Sequence, residues 1–393
     1  MYDITIVGAG IPGLVSALLL AQKTSLRIAV LDAKSPELSW SEKDYDLRVY
    51  AVIPAVQAIF EELGIWSTMI SKRAAPFKAM QVWDAQGRGE LAFHHADLNV
   101  PTLGYILEEN LIRSILFEKL KDYPQIELHY PVKLSSLTLE GKPILNFDSE
   151  NNPLQTQLLI GADGANSWVR QQAKIALNTS SYDHSALIAQ VTTTLPHQNT
   201  ARQSFLSTGP LAFLPLADPH QCSIVWSIPP KQAEDLLALD DQGFQEELTK
   251  AFDSRLGKIR SVSQRHSFSL QERHAQHYVK SNLALIGDAA HTLHPLAGQG
   301  MNLGVLDAAC LTTTISEALN KNRDYTSLST LRRYERARKA HNQLMLVSVK
   351  FLKNLFCSKS KLLQELRNQG LNLTNRYPAL KNFFANYAMG KAK

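Results

Sequence analysis

The sequence predicts an α/β protein built from two interleaved domains and a basic, helical C-terminal segment. Three observations carry this. Residues Tyr2 to Asp32 read strand, glycine turn, helix, strand, acid. From about Asn178 to Tyr278, apolar and polar residues alternate with frequent turn signals. Leu331–Lys393 reads as helix and is strongly basic, with few acids to oppose its Lys and Arg. At 393 residues the chain also exceeds the roughly 250–300 at which one core usually splits.

Tyr2–Val7 alternates and is rich in Ile and Val, as a strand does. Gly8-Ala-Gly-Ile-Pro-Gly13 follows, and Leu14–Lys23 then reads as a helix with Leu14, Leu18 and Ala21 on one face. Leu26–Leu31 is a second buried strand ending at Asp32. In such a unit Gly8 permits the tight turn, Gly10 lets the backbone approach a pyrophosphate, and Gly13 lets helix and strand pack closely. The phosphates sit at the positive end of the helix, and Asp32 can accept from a ribose hydroxyl. The unit predicts a dinucleotide but does not choose between NAD and FAD.

Two later stretches repeat the strand-then-turn pattern. Leu158–Gly161 is hydrophobic and runs into Asp163-Gly164, with Asn166 or Ser167 placed to cap a helix beginning near Trp168. Leu283–Ile286 runs into Gly287-Asp288, whose carboxylate can accept from sugar hydroxyls. Pro295, Gly298 and Gly300 then form a small-residue loop before a helix from about Met301, whose first N–H groups can face negative charge. No second strand–GxGxxG–helix unit follows.

Between these stretches Ser185–Thr193, Gln203–Ser207, Ala212–Leu216 and Cys222–Ile228 read as strands and Glu234–Arg255 as a helix, with Ala75–Phe93 supplying earlier strands. Arg332–Asn354 and Lys359–Asn368 read as helices. Leu331–Lys393 contains fourteen Lys/Arg opposed by Glu335 and Glu365, a net +12 in a chain whose total is +5. A basic surface facing lipid headgroups or an acidic protein is one reading, and a solvated helical face is the other. No aromatic-interleaved basic motif accompanies it, which argues against nucleic acid.

Three scattered cysteines, Cys222, Cys310 and Cys357, form no CxxC pair, so neither a disulfide framework nor a structural zinc site is expected. The uncharged run Ile4–Gln22 is interrupted by Gly8, Gly10, Pro12 and Gly13 and preceded by Asp3, unlike a signal peptide. No other run approaches the ~20 apolar residues of a membrane-spanning helix.

Taken together, the three motif stretches resemble the class A flavoprotein monooxygenases, of para-hydroxybenzoate hydroxylase-like fold. Gly8–Gly13 is similar to their FAD fingerprint, Gly161-Ala-Asp-Gly164 through Arg170 to their DG motif, and Gly287-Asp288 to their GD motif. Finer matches resemble the ubiquinone-biosynthesis hydroxylases: Gly287 through Gly304 and Asp307-Ala308, Asp46-Leu-Arg48, Leu63-Gly-Ile-Trp66, Gly209–Leu216, and Tyr377–Lys381 through Gly390. Two departures stand out: Asp32 where Glu is more usual, and Val52-Ile-Pro54 where relatives tend to have Leu and Ser.

The resemblance implies a Rossmann-like FAD-binding domain of residues 1–74, 94–177 and 279–330. A mainly β-sheet substrate domain of 75–93 and 178–278 is inserted into it, and 331–393 follow as the basic helical segment. It implies FAD contacts from Gly8, Gly10, Gly13, Asp32, Arg48, Asp163, Asp288, Pro295, Gly298, Gly300 and Asn302, with NADPH or NADH as transient reductant. The expected reaction is hydroxylation of a polyprenylated phenol or quinol by O2, through a flavin C4a-hydroperoxide that does the hard chemistry. Arg170 is expected to hold the DG segment, and neither His291 nor His294 is assigned a catalytic role. Rival readings are hydroxylation of another aromatic or polycyclic metabolite, reduction of isoprenoid double bonds, or a flavin-binding scaffold subunit that does not turn over. A cytoplasmic location is expected, with the basic segment meeting an anionic inner membrane or an acidic partner, and a homo-oligomer or biosynthetic complex left open.

Overall fold

The computed structural model describes residues 1–36, 40–148, 152–292, 299–357, 360–377, 380–382, 384–385 and 389–390. Its first layer is an eight-stranded sheet whose centre is parallel. Tyr2–Val7 pairs with Leu154–Gly161 on one side and Ile28–Leu31 on the other, and the parallel run continues to Leu283–Leu285 and Ile126–His129. These central strands are nearly continuous in Ile, Val and Leu because helices bury them on both faces.

Register decides where the motifs go. Val7 stands beside Gly161 and Leu31, and Gly161 beside Leu285. The chain turns after Val7, Gly161 and Leu285 therefore leave the same carboxyl edge of the sheet. Backbone hydrogen bonds from Gly8 N–H to Leu31, Ala162 N–H to Val7 and Ile286 N–H to Gly161 fasten that edge.

The helix Ile11–Lys23 packs on the helix Gln299–Asn320 through a closely spaced trio. A Cβ added to Gly304 would lie 2.7 Å from Pro12 Cγ and 3.2 Å from Gly287 Cα. The first glycine turn, the GD turn and the late helix therefore meet at van der Waals distance.

The second layer is a nine-stranded sheet, antiparallel except where Thr200–Leu206 runs parallel to Ala79–Asp84. Its central strand, Leu177–Thr193, is longer than the expected Ser185–Thr193 and carries an irregularity between Ser181 and Ser185. His291–Thr292 pairs with Arg273 and His274, so the GD segment itself joins this sheet. Ala75–Phe77, expected here, instead pairs with Gly104–Glu108 in a small three-stranded sheet with Val49–Val52. The helix expected over Glu234–Arg255 is two, Pro230–Ala238 and Asp241–Ala251. Leu239 closes the first, and Asp240 caps the second by accepting from Gly243 N–H at 2.8 Å.

The C-terminal segment is folded into the rest of the molecule. Leu328–Cys357 lies against Gln299–Asn320, and Lys361–Arg376 runs along the edge strand Glu90–His94. Several cations counted as a basic surface are internal or paired. Arg338 and Arg367 are buried against Asp307 and Asp84, Lys381 meets Asp97 and Lys350 meets Glu272. Among the described residues no helix is long and apolar enough to cross a membrane.

Candidate functional site

A cavity of about 1030 Å³ opens between the carboxyl edge of the parallel sheet, the nine-stranded sheet and the C-terminal residues Phe384, Ala385 and Met389. One end is lined by the motif turns: Gly10 to Pro12, Ala162 and Gly164 to Asn166, Ile286 and Asp288, and Gln299 to Met301. The rest of the lining is mainly apolar, with Phe77, Met80, Phe93, Leu103, Ile106, Leu214 and Val225 beside Arg202, Gln203 and Ser223.

The first glycine turn is built as its spacing predicts. Gly8 has φ +109°, and a Cβ there would sit 2.3 Å from the Ala162 carbonyl oxygen. A Cβ on Gly13 would sit 2.0 Å from Gly8 O, so only hydrogen fits between helix and strand. Gly10 differs: its nearest neighbour would be Pro12 Cδ at 4.0 Å, which leaves its face open. As N-cap of Ile11–Lys23 it offers no capping side chain, and the first turn contains no acid, so the free first-turn N–H groups favour an anion. Asp32 is held back: its carboxylate accepts from Ala9 N–H at 2.7 Å and Lys34 N–H at 2.9 Å, bracing the turn, and it lies outside the cavity lining.

In the DG turn, Asp163 also faces inward rather than toward the cavity. It accepts from Val169 N–H at 3.0 Å, while Ser167 caps the same short helix, Trp168–Gln172, through Arg170 N–H. Burial pushes the Asp163 carboxyl up, against the pull of its hydrogen bonds to Ser167 and the helix start. Gly164, Ala165 and Asn166 are the residues that reach the cavity. Arg170, buried, donates to Ala289 O at 2.8 Å and Ala165 O at 3.0 Å, bridging the DG and GD turns.

Asp288 opens into the cavity yet is ringed by protein. Burial raises its carboxyl pKa, opposed by His291, Arg48 and Arg273. Behind it, Asp307 is fully buried and accepts from His291 Nε2 at 2.5 Å, Arg338 Nε at 2.7 Å, Asn342 Nδ2 and Gly287 N–H. His291 therefore packs the turn from behind, joined to a helix more than forty residues on. Nothing in the spacing announced this network; the nearest signal was Asp307 inside the extended motif.

Arg48 stands at the cavity and donates to Glu109 at 3.2 Å. Asp46 explains the DxR spacing: its two oxygens accept from Arg48 N–H and Asn110 N–H, pinning the strand entry to the start of the helix Glu109–Leu120. A buried pair missed by sequence reasoning, Arg73 with Glu108, holds the preceding loop. Arg73 also donates to Ser41, Glu42 and Asp44 carbonyls, and Glu108 accepts from Asp46 N–H. Gly300 has open space where a Cβ would go, at the start of Gln299–Asn320, a helix with no acid in its first turn. The amide of Asn302 accepts from Ile53 N–H and donates to Ala51 O, which ties the helix to the neighbouring strand. Pro295, Gly298 and His294 lie outside the described residues.

These residues fit FAD. The obligate glycines carve a backbone cradle, the uncapped start of Ile11–Lys23 and the first turn of Gln299–Asn320 face one cavity, and a carboxylate waits for hydroxyls. Among the described residues no three His, Cys, Asp or Glu cluster as metal ligands.

Residues 1–348 match the FAD binding domain family. The chain is 32% identical to 3-demethoxyubiquinol 3-hydroxylase of Escherichia coli (strain K12), covering 99% of this chain and 98% of that protein. It is 33% identical to ubiquinone hydroxylase UbiL of Rhodospirillum rubrum, covering 100% and 90%. In fold it is similar to p-nitrophenol 4-monooxygenase PnpA from Pseudomonas putida DLL-E4, with TM-score 0.80, 18% identity, and 100% and 99% of the two chains covered.

Proposed function

This chain belongs to the FAD binding domain family, and we propose that the FAD-dependent monooxygenase reaction it catalyses hydroxylates a polyprenylated phenol or quinol of ubiquinone biosynthesis. The observation that carries this is a single cavity lined both by the motif turns and by apolar side chains beneath the second sheet. Near-full-length similarity to relatives named as ubiquinone hydroxylases supports the choice of ring.

The chemistry comes from FAD: electrons from NAD(P)H let O2 place one atom on the ring while the other leaves as water. The protein's part is positioning. First-turn amides of Ile11–Lys23 would hold the pyrophosphate, with Asp32 bracing that turn. Asp288 would accept from the sugar-chain hydroxyls, and the amides at Gln299–Met301 would face the ring system. Arg48, fixed by Asp46 and Glu109, would set a positive charge at the boundary between cofactor and substrate. The apolar chamber keeps water from the reacting ring.

The C-terminal helices favour peripheral contact with an anionic membrane. Lys361–Arg376 is inside out: Asn368, Asn372 and Asn375 accept from the N–H groups of Gly89, Glu90 and Ala92 on the sheet edge, while Leu363, Leu366 and Leu373 face solvent. On the preceding helix Leu344, Val347 and Phe351 form a second exposed stripe, continuing from Arg333 and flanked by Arg336. Apolar stripes beside cations suit an interface with acidic headgroups.

Purified, FAD-loaded protein tests the reaction. Prenylated phenols should stimulate NAD(P)H oxidation and gain one oxygen by mass spectrometry. Stimulation by unprenylated aromatics alone would point to a different hydroxylase.

A further inference from the structure

The apolar chamber is closed partly by the end of the chain, and a sequence peculiarity meets it there. Met389 is 4% exposed and belongs to one apolar cluster with Phe77, Ile106 and Leu216. It lines the cavity, as does Phe384, which is half exposed at the rim. The next residue, Gly390 (φ +72°), lies so close to the unusual Val52-Ile-Pro54 stretch that a Cβ would be 2.8 Å from Ala55 Cβ and 3.2 Å from Ile53 Cδ1. Ile53 also lines the cavity.

This placement is anchored rather than loose. Lys381 pairs with Asp97 at 2.8 Å, and Arg367 pairs with Asp84 in the interior. Met389 packs with Phe77, Ile106 and Leu216, so it belongs to the apolar part of the cavity, where the hydrocarbon portion of a substrate would lie. All the wall residues are apolar, and they offer a flexible thioether and an aromatic edge, which suits a branched hydrocarbon chain.

We propose that Phe384 and Met389 form the wall against which the substrate's isoprenoid side chain packs. This rests on the prenylated-ring reading above.

The test uses the FAD-loaded enzyme and phenols bearing no, one, two or three isoprene units. Met389→Ala should raise the KM of the longer-tailed phenols relative to the unprenylated one by on the order of tenfold, the loss expected for two or three buried methylene equivalents. Met389→Leu, which conserves volume, should restore the native ratio, and unchanged FAD content in both variants shows that the fold is intact. Equal changes for tailed and tailless phenols, or no change, would overturn the proposal. If native enzyme hydroxylates no prenylated phenol, the function reading fails, and titration with farnesol, the tail alone, still decides the wall. Farnesol affinity lost in Met389→Ala and regained in Met389→Leu supports it. Farnesol that fails to bind, or binds all three proteins alike, overturns it.

Discussion

Arg367 and Asp84, 283 residues apart, form a doubly hydrogen-bonded ion pair with no side-chain surface left to solvent (Nε–Oδ2 2.6 Å, Nη2–Oδ1 2.9 Å). Arg367 also donates to Phe356 O at 2.7 Å, and Phe356 stacks on Phe205 of the sheet with ring centroids 3.8 Å apart. The pair locks the C-terminal helices to the substrate-side sheet. Arg367→Met alone strands a buried carboxylate and should cost about 3–5 kcal/mol in urea unfolding, whereas Asp84→Leu with Arg367→Met should recover most of it. A single variant within about 1 kcal/mol of native, ordinary for an exposed pair, would show that solvent reaches the site.

The glycines of the first turn should separate packing from cofactor binding. Gly13→Ala pushes a Cβ into the Gly8 carbonyl and should destabilise the protein with or without FAD. Gly10→Ala meets no close atom and has an ordinary backbone angle of φ −73°. It should leave the thermal midpoint of the FAD-free protein unchanged yet weaken FAD by on the order of tenfold, measured by flavin fluorescence quenching.

Asp288→Ala should lower FAD affinity by roughly ten- to a hundredfold, the worth of hydrogen bonds to a charged acceptor. Circular dichroism should remain native, because the carboxylate faces the cavity and supports no neighbouring backbone among the described residues. A yellow variant that keeps its full complement of flavin through gel filtration would contradict the assignment.

His274 gives a pH signature. Burial, with His291 and Lys339 adding to it, lowers its pKa to about 4, and its Nε2 lies 2.9 Å from the Tyr278 hydroxyl. Between about pH 6.5 and about 4 the unfolded chain binds the proton and the native one does not, so this group makes stability fall as pH falls through that window. His274→Gln should flatten the decline in urea midpoint between pH 7 and 5. Parallel curves for native and variant would remove His274 as its source.

For the membrane surface, Leu366→Glu with Leu373→Glu should abolish sedimentation with phosphatidylglycerol vesicles while preserving flavin content, since both side chains point away from the sheet edge. Native protein that ignores such vesicles but elutes as a dimer, with the variant monomeric, would assign the stripe to a second copy instead.

The motif turns were legible because each is local. A strand, a glycine that must adopt positive φ and an acid fall within a few residues, and Gly8 and Gly287 realise that need at φ +109° and +58°. The substrate-side strands were legible from alternation, but Ala75–Phe77 was misassigned because a short apolar segment does not say which sheet it joins. Asp163 and Asn302 also bond nearby backbone N–H and C=O groups, a structural part that their motif spacing does not show. The basic tail was legible only in part, since Arg333 and Arg336 are exposed. Charge counts along a chain cannot show that Arg338 and Arg367 point inward to Asp307 and Asp84.

The sequence by itself determined the cofactor class and the turns that cradle it, because tight backbone geometry leaves its mark on residue type at fixed, short spacings. Only the tertiary structure decided that Val7, Gly161 and Leu285 end level on one sheet edge, that Asp307 stands behind His291, and that Met389 completes the cavity. Those relations join residues far apart in the chain, and long-range packing leaves no periodic trace between them.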